Sequence, residues 1–167
     1  MLEEEDEISV TDIQYTHSVV LTQDCDLLQD YNNHIAPFDK HDKYLPSILL
    51  SPAYLAEMFR NGEHLKELGL MMEHMDSKRW KSIRSNNNLR YHYLQRDLDK
   101  GVNDLVIDFK HYFTYPRDLF YSTVINSERY LASLGILYRE EVSYRFSHFL
   151  ARIAMPDEMI DEEPAKT

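Results

Sequence analysis

The sequence predicts an α+β fold, in which helices cover one side of a small, strongly bent or barrel-like sheet. Three observations predict it: about five short segments have the apolar pattern of strands, residues 52–85 show helical spacing, and residues 139–155 form an amphipathic helix before Pro156. Four glycines in 167 residues are few for a loop-rich sandwich. We therefore expect one sheet with a helical insertion and a closing helix.

Two strands are predicted in the first third of the chain. Residues 10–22 alternate and then become continuously apolar, which is typical of a strand that enters a core. Residues 23–46 are polar and contain two prolines, so we expect a long loop there. The segment "SILLS" at 47–51 predicts a second, buried strand, which Pro52 ends.

The helical insertion is predicted to begin directly after that strand. The Ser-Pro pair at 51–52 has the pattern of an N-cap followed by proline at the first helical position. Apolar residues then recur at helical spacing, and the Asn-Gly pair at 61–62 divides the stretch into two short helices. Three asparagines at 86–88 end the helical character.

The remaining strands and the closing helix follow from periodicity. The segments "LRYHYL" (89–94) and "DLVIDFKHYF" (104–113) alternate as strands do, and residues 129–134 fit a last strand. The clearest element is the helix at 139–155. Its apolar face at helical spacing consists of Val142, Phe146, Phe149, Leu150 and Ile153.

Charge is distributed unevenly along the chain. The net charge is −11, and two acidic tails, residues 1–8 and 157–167, carry most of it. We expect residues 9–156 to form a single globular domain between them. Within that domain, residues 78–100 hold a run of cations: Lys78, Arg79, Lys81, Arg84, Arg90, Arg96 and Lys100. The run is either a solvated face or the basic patch that a nucleic-acid partner needs.

Several classes of protein are disfavoured. No apolar run approaches the ~20 residues of a membrane-spanning helix, and the acidic start lacks the pattern of a secretory signal. The single cysteine, Cys25, cannot form an internal disulfide, so we expect a cytoplasmic protein. No histidine pair has the spacing of a zinc site, and we therefore predict neither a metal nor another cofactor.

Two carboxylates flank the cysteine just after the first predicted strand. Asp24 and Asp26 either cap a turn by accepting backbone N–H groups, or hold a hard cation such as Mg²⁺ at a site. Cys25 is a poor candidate nucleophile, because flanking acids disfavour the thiolate. Both interpretations of the two acids stay open at this point.

A second constellation lies on the third and fourth predicted strands. If those strands pair, Arg90, His92 and Lys110 line one polar face. An imidazole that moves the 2′-hydroxyl proton and a guanidinium that stabilises the phosphorane suit RNA cleavage without a metal. Aromatic residues nearby could stack on bases, although alternation places Tyr91 and Tyr93 in the core.

The pair Asp108 and Lys110 supports a different interpretation. An acid and a lysine two residues apart share a strand face, and this is the pattern of nucleases in which the acid holds Mg²⁺ and the lysine positions water. The simpler interpretation is a strand with one polar face.

The order of elements resembles that of the MazF/PemK toxins. The segments that carry the resemblance are "LTQDCDL", "ILLSP", "RYHYL", "VIDFKHYF" and, before the last helix, "RYLASL". The resemblance implies a small SH3-like barrel with a C-terminal helix, endoribonuclease activity, a homodimer and an antitoxin-like protein partner. Thr22 and Arg90 match by type the threonine and arginine that these toxins use on RNA, whereas their Arg-Arg-Pro entry to the second strand is absent.

The leading hypothesis is therefore a MazF/PemK-like protein that binds RNA or cleaves it without a metal. Its catalytic candidates are Arg90, His92 and Lys110, and its substrate-binding candidates are Thr22, Asp24 and Asp26. One alternative is a non-catalytic module of the same fold that docks a protein through the helical insertion. The other is the Mg²⁺-dependent nuclease built on Asp108 and Lys110.

Overall fold

The computed structural model describes residues 13–35, 41–125 and 129–152, and these ranges confirm the α+β class. Their strands are β1 (His17–Val20), β2 (Ser47–Leu55), β3 (Tyr91–Leu94), β4 (Leu105–Asp108) and β5 (Phe113–Pro116). Their α-helices are α1 (Asp24–Ile35), α2 (Ala56–Asn61), α3 (Ser77–Arg84), α4 (Arg117–Phe120) and α5 (Ile136–Leu150). The two predicted acidic tails lie outside the described residues.

The strands form one open antiparallel sheet. The order is β1-β2-β4-β3, and β5 pairs with β2 on the edge that β4 also uses. The sequence predicts a barrel, but within the described ranges β1 and β3 do not pair with each other. Closure needs a strand that joins the two edges. The segment predicted as the last strand, residues 129–134, contains no strand, so the sheet stays open.

The central strand β2 is longer than the sequence predicts. It runs to Leu55 through Pro52, so the predicted strand end and helix cap at 51–52 are both wrong. Pro52 lies between the residues of β2 that pair with β5 (47–50) and those that pair with β4 (53–55). Proline lacks the N–H that a ladder needs. It is tolerated here because the ladder on the side of β4 and β5 is interrupted at this position.

Helix α1 occupies half of the long loop predicted at 23–46. Asp24 and Asp26 lie in its first turn, where a carboxylate interacts favourably with the partial positive charge of the helix N-terminus. The acids after the first strand therefore start a helix, and neither lies in a turn at a strand end. Residues 36–40 of the predicted loop lie outside the described ranges.

The insertion contains helices, as predicted, although it begins at residue 56. Helix α2 ends at Gly62, whose φ of +77° is left-handed and whose N–H bonds to the carbonyls of Met58 and Phe59. A Cβ on Gly62 would lie 2.1 Å from the carbonyl oxygen of Met72. Glycine is therefore required both by backbone conformation and by close approach.

Helices cover both faces of the sheet, whereas the sequence predicts helices on one side. Val142, Phe146 and Phe149 of α5 are buried against one face, as their spacing predicts, although Leu150 is exposed. On the other face the insertion contributes Ala56, Phe59, Leu65, Met75 and Ile83. Adjacent residues of β2, Ala53 and Tyr54, belong to the two different clusters. Ile153 and Pro156 lie outside the described residues.

None of the helices in the described ranges has the length and apolar character needed to cross a bilayer.

Candidate functional site

A buried carboxylate lies where the sheet is interrupted. β2 pairs with β4 up to Ala53 and Ile107, and with β5 from Leu50 and Phe113. Residues 51–52 of β2 therefore lie opposite residues 108–112, and the extra residues form a 3-10 turn at Phe109–His111. Such interruptions redirect side chains and are common next to functional sites. Here the interruption redirects the residues around Asp108.

The side chains that meet at this point form what we call the Asp108 network: Ser51, Tyr54, Arg90, Asp108 and His111. Asp108 is fully buried, and Arg90 binds it with Nε 2.8 Å from Oδ1 and Nη2 2.6 Å from Oδ2. The Ser51 hydroxyl donates to the Asp108 carbonyl at 2.9 Å. The bidentate bond to Asp108 raises the pKa of the Arg90 guanidinium, which therefore stays charged at neutral pH.

His111 is the imidazole of this network. Its Nδ1 lies 3.0 Å from the Tyr54 hydroxyl oxygen and 3.4 Å from Asp108 Oδ2. Burial lowers the pKa of His111, and the nearby Asp108 only partly opposes this, so the ring is neutral at pH 7. With the proton on Nδ1, two oxygens can accept it, and the lone pair is then on Nε2. This tautomer can act as a base at Nε2.

Tyr54 joins the network to the insertion. Burial raises the pKa of its phenol, which therefore stays protonated. Its ring contacts the ring of His64, with centroids 4.7 Å apart, and His64 stacks on Phe59 at 4.4 Å.

The structure places the three catalytic candidates in different surroundings. Arg90 and Lys110 meet at Asp108, which also accepts the Lys110 backbone N–H at 3.0 Å, and the Lys110 side chain is exposed. His92 lies on the opposite face of the sheet, only 1% exposed, in contact with Phe109. Burial lowers the pKa of His92 to about 4, with a smaller contribution from Arg145. His92 is thus a core residue, and the expected common face of Arg90, His92 and Lys110 does not form.

The substrate-binding candidates lie near β1 and the start of α1. The Thr22 hydroxyl accepts the N–H of Leu49 at 2.8 Å and thereby extends the pairing of β1 with β2. Asp24 forms an ion pair with Arg139 of α5, and Asp26 is exposed. Within the described ranges, the hydrogen bonds and ion pairs of these three residues do not reach the Asp108 network. Their assignment as substrate-binding residues stays a prediction.

The structure also shows the surroundings of Cys25 and of the carboxylates considered as metal ligands. Cys25 is exposed, and its Sγ lies 3.6 Å from Gln23 Oε1 and 3.8 Å from Asp26 Oδ1. The described residues contain no group of three His, Cys, Asp or Glu side chains that could hold a metal ion. Asp108 and Lys110 do not share a strand face, because residue 109 begins the 3-10 turn.

The predicted basic run divides into cations that form ion pairs and cations that line an open surface, among them Arg84, whose guanidinium lies 5.8 Å from the centre of the Tyr93 ring. Arg79 pairs with Glu73, Arg90 with Asp108 and Lys100 with Asp97. Lys81 and Arg84, in contrast, line an open concave surface of about 420 Å³ together with four other residues, Arg60, Ser77, Trp80 and Ser85. We call these six residues the basic aromatic surface. No carboxylate lines it within the described ranges, and Arg60 lies 5.9 Å from the centre of the Trp80 ring.

A second buried ion pair has a structural role. Arg117 Nε lies 2.7 Å from Asp30 Oδ2, and Asp30 also accepts from the Tyr121 hydroxyl and from the Leu45 N–H. Burial raises the pKa of Asp30, but these hydrogen bonds and the Arg117 charge more than offset it, so the pKa is lowered. The pair joins α1 to α4, and both of its members are almost completely buried.

His111 and Tyr54 are site residues that the sequence did not predict. Strand alternation placed His111 on the face opposite Asp108, but in a 3-10 turn the side chains at i and i+3 are brought together. The one feature of the sequence that could have predicted this contact is the three-residue spacing of Asp108 and His111, which suits a 3-10 turn. Tyr54 was missed because the strand was predicted to end before it.

The fold and this site define an α+β protein with an open antiparallel sheet and a buried Arg-Asp-His-Tyr network at the sheet interruption. In comparisons with known proteins, no family model, no curated protein and no solved structure matches the chain.

Proposed function

We propose that this protein binds single-stranded RNA through the basic aromatic surface. The observation that carries the proposal is one open surface lined by three cations, Arg60, Lys81 and Arg84, and by the indole of Trp80, with no carboxylate among the described residues that line it. Cations that neutralise phosphates supply much of the affinity for nucleic acid, and aromatic rings stack on unpaired bases. Both kinds of group are present within one concavity.

The arrangement of α3 explains why these residues meet. Ser77, Lys81 and Arg84 follow one another at four- and three-residue spacings, so they share a helix face. The helix begins where the Asp76 side chain accepts the N–H of Arg79 at 2.8 Å, which fixes its first turn. A net charge of −11 repels RNA overall, so a local cationic surface is what binding requires.

The experiment is a titration of fluorescently labelled single-stranded RNA at several salt concentrations. Lys81→Ala and Arg84→Ala should each weaken binding several-fold and should reduce the slope of log K against log salt by about 0.7 for each phosphate that is no longer neutralised. Lys100→Ala is the matched control, because Lys100 pairs with Asp97 away from this surface. Equal affinities of the Lys81→Ala and Lys100→Ala proteins would contradict the proposal, as would no binding by the wild type at low salt.

A second candidate function, metal-independent RNA cleavage, is favoured by the Asp108 network. Neutral His111 would take the 2′-hydroxyl proton, and the 2′-oxygen would attack phosphorus as the P–O5′ bond breaks to leave a 2′,3′-cyclic phosphate. A protonated group or water would supply the proton to the 5′-oxygen. Lys110, whose side chain is exposed, would stabilise the charge on the phosphorane, and Arg90 would hold Asp108 in place beside His111. His111 takes the role predicted for His92, since His111 is 24% exposed and His92 only 1%.

Cleavage in the presence of EDTA tests this second function. His111→Gln and Lys110→Ala should each abolish most of the cleavage, whereas His92→Phe should retain it because His92 does not reach solvent. Cleavage that persists in the His111→Gln protein, or that EDTA removes, would count against it.

A relationship to the MazF/PemK toxins, with an antitoxin-like partner, a homodimer and a cytoplasmic location, stays a prediction, whereas the open sheet differs from the SH3-like barrel that the resemblance implies. What supports it is the order of elements, with one central strand shared by two successive partners and a helix near the C-terminus over one face. The docking module remains the alternative, supported by the exposed Leu70 and Met71 in the insertion. The Mg²⁺ nuclease gains no support, because Arg90 occupies both oxygens of Asp108.

A further inference from the structure

Helix α5 is bound to the segment that flanks the basic aromatic surface. The guanidinium of Arg145 donates to the carbonyl of Asn86, which directly follows Ser85, one of the six residues of that surface. The described chain continues from Arg145 to Arg152, and an α-helix rises about 1.5 Å per residue. Arg152 therefore lies about 10 Å along the helix from a contact beside the surface.

The sequence beyond Arg152 is long enough to reach this surface. An extended chain spans about 3.3–3.6 Å per residue, so residues 153–157 can span about 17 Å and residues 153–163 about 36 Å. Both lengths exceed the stretch of helix between Arg145 and Arg152. Distance thus does not prevent the acids of residues 157–163 from contacting the cations of the surface.

The segment at 157–163, "DEMIDEE", matches the surface in charge and in apolar character. Two acids precede Met159 and Ile160, and three acids follow them. The surface offers three exposed cations and the half-buried indole of Trp80, with no carboxylate among the described residues that line it. Acids on both sides can therefore contact cations while a central apolar side chain packs on the indole, and a methionine sulfur interacts favourably with an aromatic ring.

The acidic tail at the other end of the chain matches the surface less well. Its acids form one unbroken run at residues 3–7, with no apolar side chain between them. The described chain begins at Ile13, which lines a depression together with Glu63 and Glu67. These two glutamates repel an acidic segment. Charge and pattern therefore favour the C-terminal segment as the occupant of the basic aromatic surface.

We propose that residues 157–163 dock on the basic aromatic surface, with their acids against its three cations and with Met159 or Ile160 against the indole of Trp80. Because the segment is part of the chain, its effective concentration at the surface is about millimolar, so that weak contacts are sufficient. The segment and the phosphates of RNA then compete for the same cations. The competition rests on the RNA binding proposed above, whereas the docking does not.

Quenching of Trp80 fluorescence by acrylamide tests the docking, because Trp80 is the only tryptophan of the chain. One full-length variant replaces the five acids of residues 157–163 by amides: Asp157→Asn, Glu158→Gln, Asp161→Asn, Glu162→Gln and Glu163→Gln. The matched control replaces the five acids of residues 3–7 in the same way: Glu3→Gln, Glu4→Gln, Glu5→Gln, Asp6→Asn and Glu7→Gln. Both variants lose five negative charges, so they differ only in the position of the change.

The two variants should differ in how far acrylamide reaches the indole. Quenching in the 157–163 variant should rise to the level of the wild type in about 1 M salt, where the Debye length is only ~3 Å. The control should retain the weaker quenching of the wild type at low salt. Equal quenching in the two variants overturns the docking.

Combined variants locate the contact. In a Lys81→Ala/Arg84→Ala protein, neutralising residues 157–163 should produce little further increase in quenching, because most of the cations that hold the segment are already absent. In a Lys100→Ala protein the full increase should remain, since Lys100 pairs with Asp97 away from the surface. An undiminished increase in the Lys81→Ala/Arg84→Ala protein overturns the proposal.

Titration of labelled single-stranded RNA distinguishes failure of the docking from failure of RNA binding. The 157–163 variant should bind RNA at least about threefold more tightly than the control of equal net charge. Equal RNA affinities of the two variants overturn the competition. If neither variant binds RNA at low salt, the proposed function fails, while a difference in Trp80 quenching still supports the docking.

Discussion

Arg90 binds Asp108 through two parallel hydrogen bonds, of 2.8 and 2.6 Å, and the carboxylate has no exposed surface. Asp108 ends β4 and Arg90 lies just ahead of β3, next to the turn that interrupts the sheet. Arg145 of α5 donates to the carbonyls of Asn88 and Tyr91 and so fixes the backbone on both sides of Arg90. The pair is therefore held by three separate parts of the chain.

Replacing Arg90 should strongly destabilise the fold. Arg90→Ala leaves a buried carboxylate without its counter-ion, and we expect a loss of about 3 kcal/mol in the free energy of unfolding, measured in urea. Arg79→Ala is the matched control, because it removes an arginine from an ion pair with Glu73 in which both side chains are largely exposed. Similar unfolding midpoints for the two variants would show that the Asp108 pair does not stabilise the fold.

Acid should destabilise the protein through its buried histidines. The pKa of His92 is about 4 when folded and about 6.5 when unfolded, so below pH 6.5 protonation favours the unfolded chain. Between pH 6.5 and 4 stability should fall by up to about 3 kcal/mol on account of His92. His92→Phe should remove this part of the pH dependence, whereas His74→Gln, at an exposed position, should retain it. An unchanged acid slope in His92→Phe would contradict the placement of His92 in the core.

Two of the three left-handed glycines, Gly62 and Gly101, allow the cost of backbone conformation to be separated from the cost of close approach. Both have φ near +70°, but only at Gly62 would a Cβ collide with another backbone segment, at Met72. Gly101→Ala should cost about 1–2 kcal/mol for the left-handed conformation alone. Gly62→Ala should cost clearly more, because the segment carrying Met72 must also move. Thermal unfolding of both variants checks the difference, and equal midpoints would refute it.

Asp30 should contribute to stability only above the pH at which it is protonated. Its folded pKa is lowered, so the stability is present above the unfolded value of about 3.9 and disappears as the pH falls further. Asp30→Asn should lower the free energy of unfolding at pH 7 by about 3 kcal/mol and should lack this acid-dependent decrease. Asp118→Asn, whose carboxylate also contacts Arg117 but is largely exposed, should have little effect. Urea midpoints of both variants, measured as a function of pH, test whether the acid-dependent loss of stability comes from Asp30.

Local patterns in the sequence were sufficient for the elements whose environment is local. The spacing of Val142, Phe146 and Phe149 predicted α5 and its buried face, and the Asn-Gly pair at 61–62 predicted the end of α2. Both depend on periodicity and on the conformational freedom of glycine, which are properties of a few neighbouring residues. The α+β class follows from the same kind of information.

The features of the fold and of the site that the sequence did not predict depend on pairing between distant segments. Pro52 continues a strand because it lies in the gap between the β4 and β5 ladders, and that gap exists only once both strands have joined β2. His92 is buried because it pairs with Ile107 on the face of the sheet that packs against α5. His111 is in the site because the turn after Asp108 changes which side chains share a face. Residue types along the chain limit which polar groups a site can contain. Which of those groups meet depends on long-range strand pairing, because alternation holds only for an unbroken strand.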